Sequence, residues 1–303
     1  MALSRTFPVL SLALAVSAAT AADLPVRPSA GEIIKTSQPS DWRPLDVNNT
    51  LYMELPGGRV VIELAPDFAP QAVANIKTLA KEHYYDGLAV NRSQDNYVAQ
   101  WGDPNGETNP KSLGSAKAKV PGEFSVPMSN DKHFVLQKDF DGYAPQIGHS
   151  NGFPVGRDPK ARTTWLAHCY GMVGVGRDNE TDSGSGAELY AVNGHAPRHL
   201  DRNITVVGRV VSGMPLLATL PRGGDTMGFY GPKETRAPII SVRLASDVPE
   251  AERSHLEVMR SDAAIYQKVI EAQRNRGGPW NKYAANYVEL CNTTIPVREQ
   301  PKP

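Results

Sequence analysis

The sequence predicts a mainly β fold: a closed eight-stranded barrel capped by two helices, with a long loop insertion and a C-terminal helical extension. Three observations predict it. About eight segments read as short strands with two helical segments among them, a count that suits a closed barrel. Several of these segments alternate apolar and polar residues, so each has one face to bury. The 26 glycines and 25 prolines exceed the usual share of turn formers, which calls for short elements and many connections. With 40% hydrophobic and 21% charged residues, the composition is that of a globular chain rather than a disordered one.

The elements follow in order. Residues 1–21 read as an export signal. Arg5 supplies a positive start, Val9 to Val16 form a mostly apolar run, and Ala19-Thr20-Ala21 fits an A-x-A cleavage site. The run is too short to cross ~30 Å of hydrocarbon. The expected mature protein starts at Ala22 or Asp23 and is periplasmic or secreted, free of the membrane. Residues 22–49 carry Pro25, Pro28, Pro39 and Pro44 and read as an extended surface segment.

The barrel is expected over residues 50–246. Leu51, Met53 and Leu55 alternate with polar neighbours. After the Pro56-Gly57-Gly58 turn, Val60, Ile62 and Leu64 repeat the pattern, giving a hairpin with one apolar face. Pro70 suits the first turn of a helix, and Val73, Ile76 and Leu79 follow at helical spacing. Leu88 to Val90 and Tyr97 to Gln100 read as strands around a polar bend. Residues 105–167 read as an irregular insertion with one short strand at 123–126. Gly171 to Val175, Leu189 to Val192, Thr205 to Val211 and Ile239 to Leu244 read as strands, with a helical turn at Met214 to Leu220. In the extension, residues 247–303, Leu256, Met259, Ala263, Tyr266 and Ile270 form a stripe at steps of three and four. The spacing predicts one amphipathic helix over 249–276, docked on the barrel's outer surface. Another turn is expected near Tyr283 and Tyr287, and a loose end after Pro296.

Formal charge is zero, with 32 basic and 32 acidic residues. No basic field exists to attract nucleic acid or anionic lipid. Cys169 and Cys291 are the only cysteines. Export would allow a bridge between them; two buried free thiols are the alternative. Other candidate chemistries are weaker. Gly171 to Gly176 contains G-x-G without a following helix. Asp178, Glu180, Asp182 and Gly184 alternate like part of a calcium loop, but the full pattern is missing. His133, His149 and His195 lack metal-ligand spacing. His168-Cys169 are sequence neighbours, which does not make a catalytic dyad. No cofactor or metal is expected.

One stretch carries more. Tyr84-Tyr85-Asp86-Gly87-Leu88-Ala89-Val90-Asn91-Arg92-Ser93-Gln94 runs into Tyr97-Val98-Ala99-Gln100-Trp101-Gly102-Asp103-Pro104. It resembles the central motif of the cyclophilins, Y-D-G-x-x-F-H-R-V-I followed by F-M-I-Q-G-G-D-P. The hairpin and the Ala69-to-Asn75 helix start before it agree, as do Gly171 to Val175 and Val206 to Met214 after it. The resemblance covers residues 50–246. It implies a peptidyl-prolyl cis–trans isomerase acting on proline-containing polypeptides, here exported ones; separately, the chain is expected to be a monomer. It places Arg92 on the catalytic arginine and Tyr97, Val98, Tyr190 and Leu200 on the proline pocket. Gln100 falls on the substrate-orienting glutamine, Gly176 and Arg177 on backbone contacts, and Glu188 on a second polar position. His199, at a position often tryptophan, completes the expected substrate contacts. The departures are Asn91 for histidine, Ser93 and Gln94 for apolar residues, Trp101 for glycine, Val98 for methionine and Ile204 for histidine. Tyr97 and Tyr190 stand for phenylalanines, and Arg177 for asparagine. They leave open a catalytically weak peptide-binding or chaperone module.

Overall fold

The computed structural model describes residues 24–301, so the expected signal segment lies outside the described residues. Helix α1 (Ala30–Lys35) starts at Ser29, whose hydroxyl accepts from the Glu32 amide while the Glu32 carboxylate accepts from the Ser29 amide. Strand β1 (Trp42–Pro44) follows. The segment expected to be extended is therefore partly helix and partly strand. Trp42 and the apolar residues of this helix pack with Met259, Tyr266 and Ile270 of the distant C-terminal tail, partners that local sequence does not reveal.

β2 (Thr50–Leu55) and β3 (Gly58–Leu64) form the predicted hairpin. α2 (Pro70–Lys81) has Pro70 in its first turn and buries Val73, Ile76 and Leu79. β4 (Ala89–Ser93) and β5 (Val98–Gly102) pair next. The stretch expected to be irregular then holds β6 (Val126–Pro127), β7 (Phe134–Gln137), β8 (Gln146–Ser150), β9 (Phe153–Asp158) and β10 (Thr163–Leu166). These five make an antiparallel sheet ordered β6-β10-β9-β8-β7. The chain returns through β11 (Met172–Val175), β12 (Leu189–Val192), β13 (Val206–Ser212), α3 (Met214–Ala218) and β14 (Ser241–Leu244).

The eight-stranded sheet runs β14-β2-β3-β13-β11-β12-β5-β4 and wraps a core that includes Leu51, Ile62, Ile76, Leu79, Trp101 and Val173. It is a curled open sheet and not the closed barrel expected: its end strands β14 and β4 share no ladder. Isolated bonds cross the seam, Gly87 N to Ile239 O at 3.0 Å, Ile239 N to Leu88 O at 2.8 Å and Val90 N to Ala237 O at 2.9 Å. Pro238 sits opposite Ala89 there. A proline has no amide hydrogen to extend a ladder, so the edge remains irregular.

The tail departs from the single helix expected over 249–276. β15 (Leu256–Met259) is a strand between β1 and β16 (Val297–Glu299), and only α4 (Ala264–Arg274) is α-helical. Its apolar stripe is split accordingly. Leu256 packs on Tyr52 and Val61 outside the hairpin. Met259, Tyr266 and Ile270 pack with Trp42 and Val288, and α1 covers them. Tyr283 and Tyr287 lie exposed outside any helix, and the expected loose end contains β16. Arg274 grips Asp139 of the inserted region, and a Cys169–Cys291 disulfide joins the turn before β11 to the tail.

His149 of β8 is buried at this junction. Its Nε2 lies 3.2 Å from the Tyr266 hydroxyl and 3.4 Å from the Thr293 hydroxyl. Burial, then the nearby Arg209 charge, push it down to about 3 from the ordinary 6.5. The unfolded chain takes up a proton near that ordinary value and the folded chain refuses it. The contribution of His149 to stability is therefore complete above pH ~6.5 and is lost as pH falls from there toward 3. Urea unfolding between pH 6.5 and 4.5 should show wild type losing up to about 1.4 kcal/mol per pH unit more than His149→Gln. Parallel curves for the two proteins would contradict this.

Candidate functional site

The register of the eight-stranded sheet lays the motif residues in one row. Arg92 stands opposite Gln100, Gln100 opposite Tyr190, and Tyr190 opposite Gly174, across four adjacent strands. Ala99, Trp101, Leu189 and Ala191 point into the main core. Strand alternation then sends Val98, Gln100, Tyr190 and Val192 to the other face. Arg92 reaches that face through a β-bulge. Val90 pairs with Trp101 and faces the core, and the ladder shifts before Arg92. In a regular strand Arg92, two residues after Val90, would point inward with it; the bulge at Asn91 turns it to the opposite face.

This face forms a groove of about 600 Å³. Arg92, Tyr97, Val98, Gln100, Gly176, Arg177, Glu188, Tyr190 and Leu200 all line it. Val98, Tyr190 and Val192 make an apolar patch with Tyr97 and Ile204 packed against it. His199 does not line the groove. It is exposed in the 3-10 turn Arg198–Leu200, which turns Arg198 into the interior and Leu200 to the groove, leaving His199 outside.

The Arg92 side chain is 8% exposed and fixed. Its Nε donates to the Met227 carbonyl at 2.7 Å, Nη1 to Gln100 Oε1 at 3.2 Å, and Nη2 to Gln94 Oε1. The Tyr97 and Phe229 rings lie against the guanidinium, with centroids at 5.4 and 5.2 Å. Burial lowers its pKa, with Tyr97 opposing, but a guanidinium remains charged at any physiological pH. All three acceptors are neutral, so its charge is not cancelled by them. Three of its five N–H groups are engaged in these bonds.

Gln100 passes the chain on, donating from Nε2 to Glu188 Oε2 at 2.7 Å. Burial raises the Glu188 pKa, and Asp178, Asp103 and Glu107 add to the effect against the Gln100 bond. The Gly176 amide donates to the Glu188 carbonyl at 2.9 Å. Arg177 does not reach across the groove; it braces the rim by donating to the carbonyls of Asn203 and Asp178.

Sequence reasoning missed Met227, Phe229 and Gln94 as partners of Arg92. Met227 and Phe229 lie in the Gly/Pro-rich stretch before β14, and an isolated bridge between Arg92 and Phe229 brings them in. Gln94 was visible only as a departure from an apolar position. The polar replacement makes sense once it is seen to grip the guanidinium.

Residues 50–244 match the family model described as cyclophilin type peptidyl-prolyl cis-trans isomerase/CLD. Over 180 residues the chain is 30% identical to a probable peptidyl-prolyl cis-trans isomerase of Brucella suis biovar 1, covering 59% of this chain and 75% of that protein. A protein of the same description from Brucella melitensis matches with the same figures. The crystal structure of the cyclophilin AquaCyp293 from Hirschia baltica aligns with a TM-score of 0.65 at 25% identity, covering 91% of this chain and 100% of that one. That likeness extends beyond residues 50–244.

Proposed function

The chain belongs to the cyclophilin-type peptidyl-prolyl cis–trans isomerase family, and we propose that its groove catalyses X–Pro bond rotation in exported proteins through Arg92. Rotation faces a barrier of roughly 20 kcal/mol because the amide must give up its conjugation. No bond breaks, so the site has only to bind the twisted state more tightly than either planar one. In the twisted state the prolyl nitrogen becomes pyramidal and gains a lone pair. A fixed cation with N–H groups to spare stabilises that lone pair, while an apolar pocket holds the ring.

The observation that carries this reading is the environment of Arg92. A buried guanidinium is gripped by three neutral acceptors beside the patch of Tyr97, Val98, Tyr190 and Leu200. Gln100, braced by Glu188, is placed to orient the peptide, and the Gly176–Arg177 backbone offers groups to hold it. The signal-like start of the chain supports export, as does a disulfide of the kind that persists in oxidising compartments.

The test is the cis–trans exchange of the tetrapeptide Ala-Ala-Pro-Phe, followed by NMR. Unaided exchange takes tens to hundreds of seconds. The expected result is acceleration in proportion to protein concentration. Peptide binding without acceleration would instead identify a peptide-binding or chaperone module.

A further inference from the structure

Behind the groove, buried polar side chains run from Tyr190 to the inserted sheet. The Tyr190 hydroxyl lies 3.0 Å from His168 Nε2. His168 Nδ1 lies 3.0 Å from Asp201 Oδ1, which also accepts the His168 amide at 2.9 Å. Arg198 Nε donates to Asp201 at 2.7 Å, and its two terminal nitrogens donate to the Asp141 carboxylate at 2.8 and 3.1 Å. Asp141 sits in the connection between β7 and β8. The side chains of His168, Asp201, Arg198 and Asp141 are each at most 4% exposed. Buried charges are expensive to desolvate and add little stability over apolar packing, so stability alone does not account for this chain.

The hydrogen-bond directions are set by chemistry. Burial raises the Asp201 carboxyl, but the His168 bonds and the Arg198 charge outweigh it and hold it below the usual range. An ionised carboxylate only accepts, so His168 Nδ1 carries a hydrogen. In the neutral imidazole Nε2 is then an acceptor, and Tyr190 donates to it. The hydroxyl is thus tied to the interior while the ring walls the groove. The His168 ring is stacked near that of Tyr190, with centroids 6.4 Å apart and planes inclined by 14°. Gly174 lies against the Tyr190 ring: a Cβ there would come within 2.3 Å of Tyr190 Cζ. The Tyr190 ring is therefore confined by Gly174 and tethered at its tip.

We propose that His168 is a positioning residue for the proline pocket: held by Asp201 and, through Arg198, by Asp141, it fixes the Tyr190 ring and so sets the affinity for the X–Pro peptide. This rests on the reading of the groove as a proline site. The inserted sheet thereby reaches the substrate without touching it.

The experiment measures kcat and KM separately for Ala-Ala-Pro-Phe in full-length protein, with melting temperatures as a control on folding. His168→Ala is expected to raise KM about fivefold, the effect of losing one buried hydrogen bond, with kcat within about twofold of wild type. His168→Gln, which keeps an acceptor, should recover most of the affinity. In a Tyr190→Phe background, where no hydroxyl remains to be held, His168→Ala should leave KM unchanged. A KM that does not respond to His168→Ala, or that responds equally in the Tyr190→Phe background, overturns the proposal. Arg92→Ala separates the two readings. If it abolishes the rate while KM ignores His168, only the positioning role fails. If it leaves the rate intact while the His168 pattern holds, the Arg92 mechanism fails and the pocket assignment stands.

Discussion

Arg92→Ala is expected to lower kcat/KM for an X–Pro tetrapeptide by about a hundredfold or more, the usual effect of removing a preorganised donor from a developing charge. The argument rests on what the guanidinium does before substrate arrives. Its direction is set by Met227, Gln100 and Gln94 and its faces by Tyr97 and Phe229. It therefore needs no reorganisation when the lone pair forms on the prolyl nitrogen. Arg92→Lys should lose nearly as much. An ammonium keeps the charge but cannot reproduce the planar fork that meets three separated acceptors and still presents N–H groups to substrate. Stopped-flow isomerisation of both variants, with circular dichroism to verify folding, checks this. Wild-type rates in both would remove Arg92 from the mechanism.

The eight-stranded sheet was legible because its strands alternate cleanly, as in Val60, Ile62 and Leu64, and because the motif around Arg92 is contiguous. The inserted sheet was not. Its strands are interrupted by residues that usually mark turns. Gly156 lies mid-strand in β9 because the Trp165 ring covers it; a Cβ there would come within 2.6 Å of the ring. A signal was nevertheless present. Asn151-Gly152 joins β8 to β9 with both residues at positive φ, 49° and 84°, as a two-residue hairpin turn requires. The tail misled for a different reason. Leu256 and Met259 fit a helical stripe, yet Leu256 and Val258 equally fit the period of a strand. Pairing with β1 and β16 from distant parts of the chain decides between them. At the site, the residues contiguous in the motif were readable. Partners supplied by the chain about 130 residues further on were not.

Removing the Cys169–Cys291 bridge is expected to destabilise the protein by roughly 5 kcal/mol, because it closes a long loop in the unfolded chain. The cysteines are 122 residues apart in sequence. The loop they close spans β11 to β14, β15 and α4, so the bridge holds the tail to the sheet it packs on. Leu290 and Cys291 pack in one apolar cluster with Ile147, Trp165 and Met172, tying the tail, the inserted sheet and β11 together. At 2–4 °C per kcal/mol, the Cys169→Ser/Cys291→Ser double variant should melt roughly 10–20 °C lower than wild type. Replacing both cysteines avoids leaving one reactive thiol. An unchanged melting temperature would mean that sheet pairing and the cluster hold the tail without the bridge. The same packing bears on whether the tail's stripe is an interface. Tyr266, Met259 and Ile270 are covered by Trp42, Val288 and α1 within the same chain. Deleting residues 247–303 strips β1 of β15, the one strand it pairs with among the described residues, and uncovers Tyr52 and Val61. The deletion should therefore lower the melting temperature and expose apolar surface. A truncated protein that melted like the full chain but lost a self-association seen by light scattering would show the tail to be an interface instead.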